Sequence, residues 1–276
     1  MKFSKWQGLG NDFIIVEPGK NSGTDFQGLA KRLCDRHFGI GADGVVTLRP
    51  LGGTAFEMRI FNADGSESEM CGNATRCVGL YIKQHKLAPG NVFGIHTPGG
   101  IIRPNVQENN TVRVDMGVPR LKRGEIPVAG EANRDALELP LQIGSRCFIG
   151  TAVSMGNPHV VIFVPNINTV KLADWGAKIE CLDCFPNKTN VEFVEVISPQ
   201  MVRMRVWERG CGITLACGSG SCATAVAGVL TGRTGRNVTI LLDGGELQIE
   251  YSAADNHVYM TGPAREVFTG EYLERY

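Results

Sequence analysis

The sequence predicts an α+β fold made of two pseudo-symmetric halves. Each half is expected to be a curved, mostly antiparallel, barrel-like β-sheet around a central buried helix. Three observations support this: two cysteine–glycine segments at a fixed offset, strand-like alternation in both halves, and a helical pattern after each segment. The chain has 276 residues, which is enough for one large domain or two ordinary ones.

An internal repeat is the first of these observations. The segments at residues 71–77 (CGNATRC) and 217–222 (CGSGSC) are 217 − 71 = 146 residues apart. The same offset aligns residues 10–11 (GN) with 156–157 (GN), residues 58–61 (MRIF) with 204–207 (MRVW), and Val45 with Val191. Four matches at the same 146-residue offset predict a duplicated fold. Duplication alone would explain a repeated scaffold without any functional symmetry.

Strand-like alternation is the second observation, and turn residues such as those at 64–65, 98–100 and 243–245 separate the runs. We expect strands at residues 54–61, 111–116, 191–197, 201–207, 238–242 and 247–251.

Helical patterns are few, and the clearest follow the two cysteine–glycine turns, at residues 74–85 and 221–230. The second has no charged side chain on any face, which is typical of a buried helix. The polar, turn-rich stretch 119–138 is predicted to be a linker. We therefore assign residues 1–116 to the N-terminal half and 117–264 to the C-terminal half, with the active site in the cleft between them. The tail, residues 265–276, is expected to pack back on the first half.

The charge balance excludes some classes of partner. Lys plus Arg and Asp plus Glu both number 28, so the formal net charge is zero, which argues against nucleic acid and anionic membranes. No run reaches the roughly 18 apolar residues of a membrane helix. The first residues lack the apolar core of a signal peptide. The expectation is a cytoplasmic protein that binds a small molecule.

Nine cysteines, an odd number, argue against a disulfide framework, and most are expected to be small buried hydrophobes. Cys71 and Cys217 differ because each directly precedes a glycine that opens a helix. The unpaired N–H groups and the positive dipole end there favour thiolate, so we expect both thiol pKa values to lie below about 8.5. The same N–H groups can bind a carboxylate.

Combining the halves gives a chemical hypothesis. If a pseudo-twofold axis brings the two helix starts together, one substrate carbon lies between the sulfurs of Cys71 and Cys217. One thiolate removes the α-proton, and the opposite thiol delivers a proton to the other face, which inverts the carbon. The alternative is two core cysteines at helix starts.

At this point the motifs resemble a known family. Residues 62–77 (NADGSESEMCGNATRC) and 207–220 (WERGCGITLACGSG) look like the two signatures of diaminopimelate epimerases. Residues 8–13 (GLGNDF) and 156–159 (GNPH) also match, so the resemblance covers nearly the whole chain. The family interconverts LL- and meso-2,6-diaminopimelate without pyridoxal phosphate, other cofactor or metal, for lysine and peptidoglycan precursors. A homodimer is a family expectation.

The resemblance also implies roles for individual residues. Cys71 and Cys217 would be the acid/base pair. The reacting carboxylate would be bound by Gly72, Asn73, Gly218 and Ser219. The distal amino-acid end would be held by Asn11, Asn62, Asn157, Asn190 and Arg209, whose guanidinium suits a carboxylate. His159 and Glu208 would lie near the sulfurs, where they bind the α-ammonium or tune the thiols.

Two positions depart from the family pattern. Ala74 stands where the first signature commonly has Gly, and because Ala is the better helix former the first turn is expected to tighten. Gly44 stands where a polar Gln is common, so one substrate contact is expected to be missing or supplied by water.

Each of these residues also has an alternative, purely structural role. Asn11 and Asn157 could be turn residues, Glu208 and Arg209 a solvated surface pair, and His159 a satisfied core histidine.

Three other functions compete with this interpretation. Proline racemases and hydroxyproline epimerases usually have His where this chain has Asn73 and Pro where it has Ala216, and proline offers no distal carboxylate to Arg209. A thiol-redox or zinc protein could use Cys181 and Cys184, but no second C-x-x-C or close His pair completes a zinc site. A non-catalytic amino-acid-binding module would bind without exchanging the α-proton.

Overall fold

The chain forms two compact units in the computed structural model, which describes residues 1–18 and 23–273. The first unit comprises Met1–Asp115 and Thr261–Tyr276, and the second comprises Met116–Met260. Of the predicted C-terminal tail, residues 274–276 lie outside the described residues. Within residues 1–18 and 23–273, no helix is both long and apolar enough to cross a membrane.

The first unit is built on one mixed sheet and two helices. Its elements are β1 (Lys2–Gly8), β2 (Asn11–Val16), α1 (Phe26–Leu33), β3 (Gly44–Gly52), β4 (Ala55–Asn62), β5 (Glu67–Ser68), α2 (Gly72–Gln84), β6 (Gly94–Thr97), β7 (Gly100–Ile102), β8 (Asn105–Val106), β9 (Thr111–Asp115) and β19 (Arg265–Glu271). The sheet order is β19-β1-β2-β3-β4-β6-β7, with β5 beside β4. Strand β8 pairs antiparallel with β9. The C-terminal strand β19 thus pairs antiparallel with β1.

The second unit has the same plan. Its elements are β10 (Leu139–Ile143), β11 (Arg146–Ser154), β12 (Pro158–Phe163), a short 3-10 helix (Ile167–Thr169), α3 (Leu172–Glu180), β13 (Asn190–Ser198), β14 (Met201–Glu208), β15 (Gly212–Thr214), α4 (Gly218–Leu230), β16 (Asn237–Leu242), β17 (Gly245–Tyr251) and β18 (Val258–Pro263), which ends just past the unit boundary. These strands follow the order β10-β11-β12-β13-β14-β16-β17-β18, with β15 beside β14.

The strand register carries the 146-residue repeat. Phe13 pairs with Gly44 in the parallel β2–β3 ladder, and His159 pairs with Asn190 in the parallel β12–β13 ladder. Both partners are displaced by 159 − 13 = 190 − 44 = 146 residues. In each unit the next pair is antiparallel and the one after it is parallel again, β4–β6 and β14–β16. The predicted α+β duplication is therefore confirmed.

One helix lies at the centre of each unit. α2 packs against β1, β2, β8, β9 and β19, and α4 packs against β11, β12, β13, β16 and β17. Every residue of α2 from Gly72 to Ile82 is buried, as is nearly all of α4 through Gly228. α4 carries no charged side chain, which avoids the cost of burying an unpaired charge. α2 buries one, Arg76, which donates to Asn73 Oδ1.

Three details of the prediction need correction. The sheets are open rather than closed, since β19 and β7 end the first path unpaired with each other among the described residues, so "barrel-like" describes them only loosely. Residues 119–138 are irregular, as expected, but they are not a simple linker. Ile126, Val128 and Ala136 are buried in the core of the second unit. Helices α1 and α3 were not predicted.

Candidate active site

Cys71 is the N-cap residue of α2. Its backbone is extended (φ −143°, ψ 118°), and no side-chain hydrogen bond caps the helix. Thr75 closes the first turn, because both its N–H and its hydroxyl donate to the Cys71 carbonyl at 2.9 Å. The first N–H groups of α2, at Gly72 and Asn73, have no intrahelical acceptor. The Cys71 side chain is half-buried beside them.

Two asparagines lie next to the Cys71 sulfur. Asn11 Oδ1 is 3.8 Å from Cys71 Sγ and accepts a hydrogen bond from Asn73 Nδ2 at 3.1 Å. Asn11 Nδ2 donates to Asp43 Oδ2 at 2.7 Å, and buried Arg76 donates to Asn73 Oδ1 at 2.8 Å. These outer partners fix both amides so that the Asn11 carbonyl faces the sulfur.

Asn62 and Gly44 lie on neighbouring strands of the first unit's sheet, β4 and β3. Asn62 ends β4, is exposed, and donates from Nδ2 to Ser66 Oγ at 2.9 Å. Asn62 pairs with Gly44 across the β3–β4 ladder. A Cβ at Gly44 would approach the Phe61 carbonyl oxygen to 2.9 Å, so this backbone geometry does not admit a side chain. The packing of β3 against β4 is therefore consistent with the glycine at position 44, where the family pattern commonly has Gln.

Cys217 is the N-cap residue of α4 and occupies the equivalent position in the second unit. Its backbone is extended (φ −127°, ψ 112°), and its sulfur accepts from Gly220 N at 3.4 Å. Ser219 Oγ lies 3.6 Å from the sulfur. Unlike half-buried Cys71, Cys217 is only 5% exposed.

The expectation of a lowered thiol pKa is wrong for Cys217. Burial raises the pKa of Cys217 well above its ordinary value, and the carboxylates of Glu208 and Glu192 raise it further. The hydrogen bonds from Ser219 and Gly220 act in the opposite direction but do not prevail. Desolvation of the anion outweighs the helix dipole here, so Cys217 is a thiol at neutral pH.

His159 and Glu192 form a buried pair beside Cys217. His159 Nδ1 is 2.7 Å from Glu192 Oε1, His159 Nε2 is 3.0 Å from Asn157 Oδ1, and both members of the pair are 0% exposed. Because the Asn157 oxygen can only accept, this contact requires the His159 tautomer whose Nε2–H donates, and Nδ1 then faces Glu192. Burial raises the pKa of Glu192, and His159 opposes that shift.

Asn190, Arg209 and Glu208 surround the end of β14. Buried Asn190 joins two segments, since its Nδ2 donates to the Pro158 carbonyl at 2.7 Å and its Oδ1 accepts from Arg209 N at 2.9 Å. The Arg209 guanidinium is exposed and donates to the Asn187 carbonyl at 3.1 Å. Glu208 Oε1 accepts the Thr214 hydroxyl. The Arg209 head is thus held at the surface by the segment that precedes β13.

The structure brings most predicted residues into one group per unit. Cys71, Gly72, Asn73 and Asn11 lie together in the first unit, and Cys217, Gly218, Ser219, His159 and Asn157 do so in the second. The Asn62 side chain donates to Ser66 in its own turn.

Glu192 is the site residue that sequence reasoning missed. One ligand atom each from His159, Glu192 and Cys217 lies within 4.8 Å of the others, and all three residues are buried. Within the described part of the chain, no other group of three or more such residues is close enough to hold a metal ion, so Cys181 and Cys184 belong to none.

The two units differ in charge at equivalent positions. Subtracting 146 places His159 on Phe13 and Glu192 on Val46, both buried and apolar in the first unit. The cysteines are repeated, but the titratable pair is present in one unit only. The backbone scaffold is therefore repeated in the two units, but the buried titratable pair is not.

Sequence comparison identifies close relatives. The sequence model of the family described as diaminopimelate epimerase matches residues 3–122 and 151–267. The diaminopimelate epimerase of Pelotomaculum thermopropionicum is 51% identical over 281 residues, covering 100% of both chains. The diaminopimelate epimerase of Moorella thermoacetica is 49% identical over 282 residues, covering 99% of both.

Structure comparison finds the same fold in more distant proteins. A phenazine biosynthesis protein of the PhzF family from Enterococcus faecalis has a TM-score of 0.73 at 13% identity, covering 99% of this chain and 100% of the other. A probable proline racemase from Agrobacterium radiobacter has a TM-score of 0.69 at 14% identity, covering 99% and 92%. At this identity the likeness concerns the fold alone.

Proposed function

The chain belongs to the diaminopimelate epimerase family, and on that premise we propose that it interconverts LL- and meso-2,6-diaminopimelate by a two-base proton transfer between Cys71 and Cys217. The observation that carries the proposal is the equivalence of the two cysteines. Each is the N-cap of its unit's central helix, 146 residues apart, next to N–H groups that can bind a carboxylate. The reaction requires both sulfurs to flank the same α-carbon.

The proposed chemistry balances without a cofactor. A Cys71 thiolate takes the α-proton as the C–H bond breaks, and the electron pair spreads onto the substrate carboxylate. The Cys217 thiol then gives its proton to the opposite face, leaving Cys71 as thiol and Cys217 as thiolate. The protonated state of buried Cys217 supports its role as the acid in this direction. In the reverse direction the roles exchange.

Backbone donors stabilise the charge that develops. The N–H groups of Gly72, Asn73, Gly218 and Ser219 are proposed to hold the reacting carboxylate, where positive helix ends favour its enolate-like form. His159 and Glu208, which lie near Cys217, are proposed to bind the α-ammonium group or to tune the thiol.

The distal amino-acid end needs polar contacts of its own. We assign it to Asn11, Asn62, Asn157, Asn190 and Arg209. Arg209 is suited to this role because its exposed guanidinium can bind a second carboxylate in bidentate fashion. Asn190 supports the Arg209 loop through the backbone hydrogen bond already described.

Proton exchange tests the mechanism. Incubation with LL-diaminopimelate in deuterium oxide should give meso product that carries solvent deuterium at the inverted carbon, while unreacted substrate keeps its proton early in the reaction. Early deuterium in the unreacted substrate would indicate one base rather than two. Binding without any exchange would indicate a non-catalytic binding protein.

Single substitutions test the two assigned thiols. Cys71→Ser and Cys217→Ser should each lower kcat by at least about 10²–10⁴-fold, the usual contribution of a general acid or base. Cys147→Ser is the matched control, because Cys147 is exposed and its thiol donates to the neighbouring Phe148 carbonyl. Full activity in either active-site variant would refute the two-base assignment. The cytoplasmic location, the place in lysine and peptidoglycan biosynthesis and the homodimer stay predictions.

A further inference from the structure

The geometry points to a second property of the Cys217 region: His159, Glu192 and Cys217 form a binding site for one divalent zinc-type cation, and its occupation blocks the epimerase. Thiolate, imidazole and carboxylate are the three side-chain ligands that zinc prefers. The three ligand atoms lie within 4.8 Å of one another on buried side chains. The residues come from neighbouring strands β12 and β13 and from the start of α4.

The Glu192 carboxyl group supplies an independent indication. Its Oε2 atom is buried and has no hydrogen-bond partner in the described structure, whereas Oε1 contacts His159. An unsatisfied buried oxygen costs free energy, roughly 1–3 kcal/mol. A cation at this position would satisfy the carboxylate.

The surroundings of His159 match those of a metal ligand. Asn157 Oδ1 accepts from Nε2, which leaves Nδ1 as the nitrogen that faces Glu192. Metal-bound histidines generally donate their other ring N–H to such an oxygen, which fixes the tautomer. The outer partner of the proposed ligand is therefore already in place.

The movement needed to coordinate a metal is small. Zinc bonds of about 2.0–2.3 Å in tetrahedral geometry place ligand atoms roughly 3.3–3.6 Å apart. His159 Nδ1 and Glu192 Oε1 are now 2.7 Å apart, so they would separate by about 0.6 Å. The sulfur of Cys217 would approach by at most about 1.2 Å, since no pair of atoms exceeds 4.8 Å.

The charge of the cation matches that of its ligands. When bound, the Cys217 thiolate and the Glu192 carboxylate together carry two negative charges, which a divalent cation neutralises, while His159 binds as the neutral imidazole. Three protein ligands leave a fourth position for water. Because the bound sulfur no longer carries a transferable proton, an occupied site cannot support proton transfer by Cys217.

Cobalt provides a spectroscopic test that involves no substrate. Titration of the metal-free full chain with Co²⁺ should give one equivalent of binding and a thiolate-to-cobalt charge-transfer absorption, which Zn²⁺ displaces. Cys217→Ser should abolish this absorption. Glu192→Gln, which is nearly isosteric, and His159→Asn should each weaken binding by at least about 10-fold.

Control variants separate this site from other thiols. Cys147→Ser and the double variant of Cys181 and Cys184 to serine should leave the cobalt absorption unchanged. Absorption that survives Cys217→Ser, affinity that Glu192→Gln leaves unaltered, or no binding to the wild-type chain would each overturn the inference. Circular dichroism checks that each variant is folded. Zn²⁺ should also inhibit epimerisation reversibly, but the binding test stands whether or not the proposed substrate is correct.

Discussion

Gly220 occupies the third position of α4, where a methyl group would meet two of the three members of the His159–Glu192–Cys217 cluster. An added Cβ would lie 2.6 Å from Glu192 Oε1 and 3.3 Å from Cys217 Sγ. Ordinary contact begins at 3.4 Å, so the carboxylate must retreat by about 3.4 − 2.6 = 0.8 Å. Because Glu192 is fully buried and bonded to His159, we expect Gly220→Ala to break that 2.7 Å hydrogen bond.

The cost of this substitution can be worked from its parts. A hydrogen bond to a charged group contributes about 1.5–3 kcal/mol, and Ala gains up to about 1 kcal/mol over Gly in a helix. The free energy of unfolding should therefore fall by roughly 0.5–2 kcal/mol. The displaced carboxylate lies next to the Cys217 thiol, so its movement should lower kcat on the order of 10-fold or more, since 1 Å misplacements can cost about 10²-fold.

Gly228→Ala in the same helix is the matched control. Its Cβ would overlap the Thr234 hydroxyl, so it also overpacks, but more than two turns from Cys217. Urea unfolding, epimerase kinetics and the rate of Cys217 alkylation should be measured for both variants. We expect both to lose stability and only Gly220→Ala to change kcat and alkylation. If the two variants affect kcat equally, or Gly220→Ala leaves it unchanged, the reasoning about Glu192 is refuted.

The remaining predictions concern the first unit and the C-x-x-C segment. Asp43→Asn should lower kcat/KM by about 10-fold, because Asn11 loses a charged acceptor worth ~1.5 kcal/mol, and unchanged kinetics would show that Asn11 needs no such support. Burial acts to raise the pKa of Asp12, but Arg36 and Lys5 outweigh it and hold the pKa below 3.8. The ionised carboxylate therefore stabilises the fold above pH 3.8, and this stabilisation is lost as the pH falls through the lowered pKa. Asp12→Asn should accordingly flatten the loss of stability in acid, measured by urea midpoints; an unaltered slope would contradict this. Replacing the exposed Cys181 by serine should leave activity and metal content unchanged, whereas loss of a stoichiometric metal would revive the zinc hypothesis for that segment.

Local patterns predicted the central helices but not the peripheral ones. α2 and α4 follow turn signals and carry strong apolar runs, so their position was readable to within a few residues. α1 is only eight residues long and includes Gly28, which weakens its helical pattern. In α3, Gly176 is required by tertiary packing, because a Cβ there would lie 2.5 Å from the Trp207 side chain. The sequence around Gly176 does not show this requirement, because it depends on Trp207, which is distant in the chain.

The same distinction applies to the site. The cysteines, Asn11 and Asn157 stand in glycine-containing turns that repeat at a fixed offset, whereas the roles of Asn62 and Asn190 were predicted from the family resemblance alone. Glu192 was missed because an alternating Val191–Glu192–Phe193 pattern normally places the polar residue in water. In β13 both faces are buried, so the carboxyl group is enclosed beside Cys217. The raised pKa of Cys217 could not be predicted for the same reason, since it depends on burial and on Glu192 and Glu208.

The pairing of β19 with β1 has a consequence for how the protein is made. Ser4 donates to Glu266, 262 residues away, so the first sheet cannot acquire its last strand until almost the whole chain has left the ribosome. The second unit is continuous from Met116 to Met260 and depends on no such late segment for its own strands β10–β17. Because domains generally fold as units during synthesis, the later-translated unit is expected to finish first. The edge of β1 stays open in the meantime, and an open edge strand is where nascent chains associate with one another.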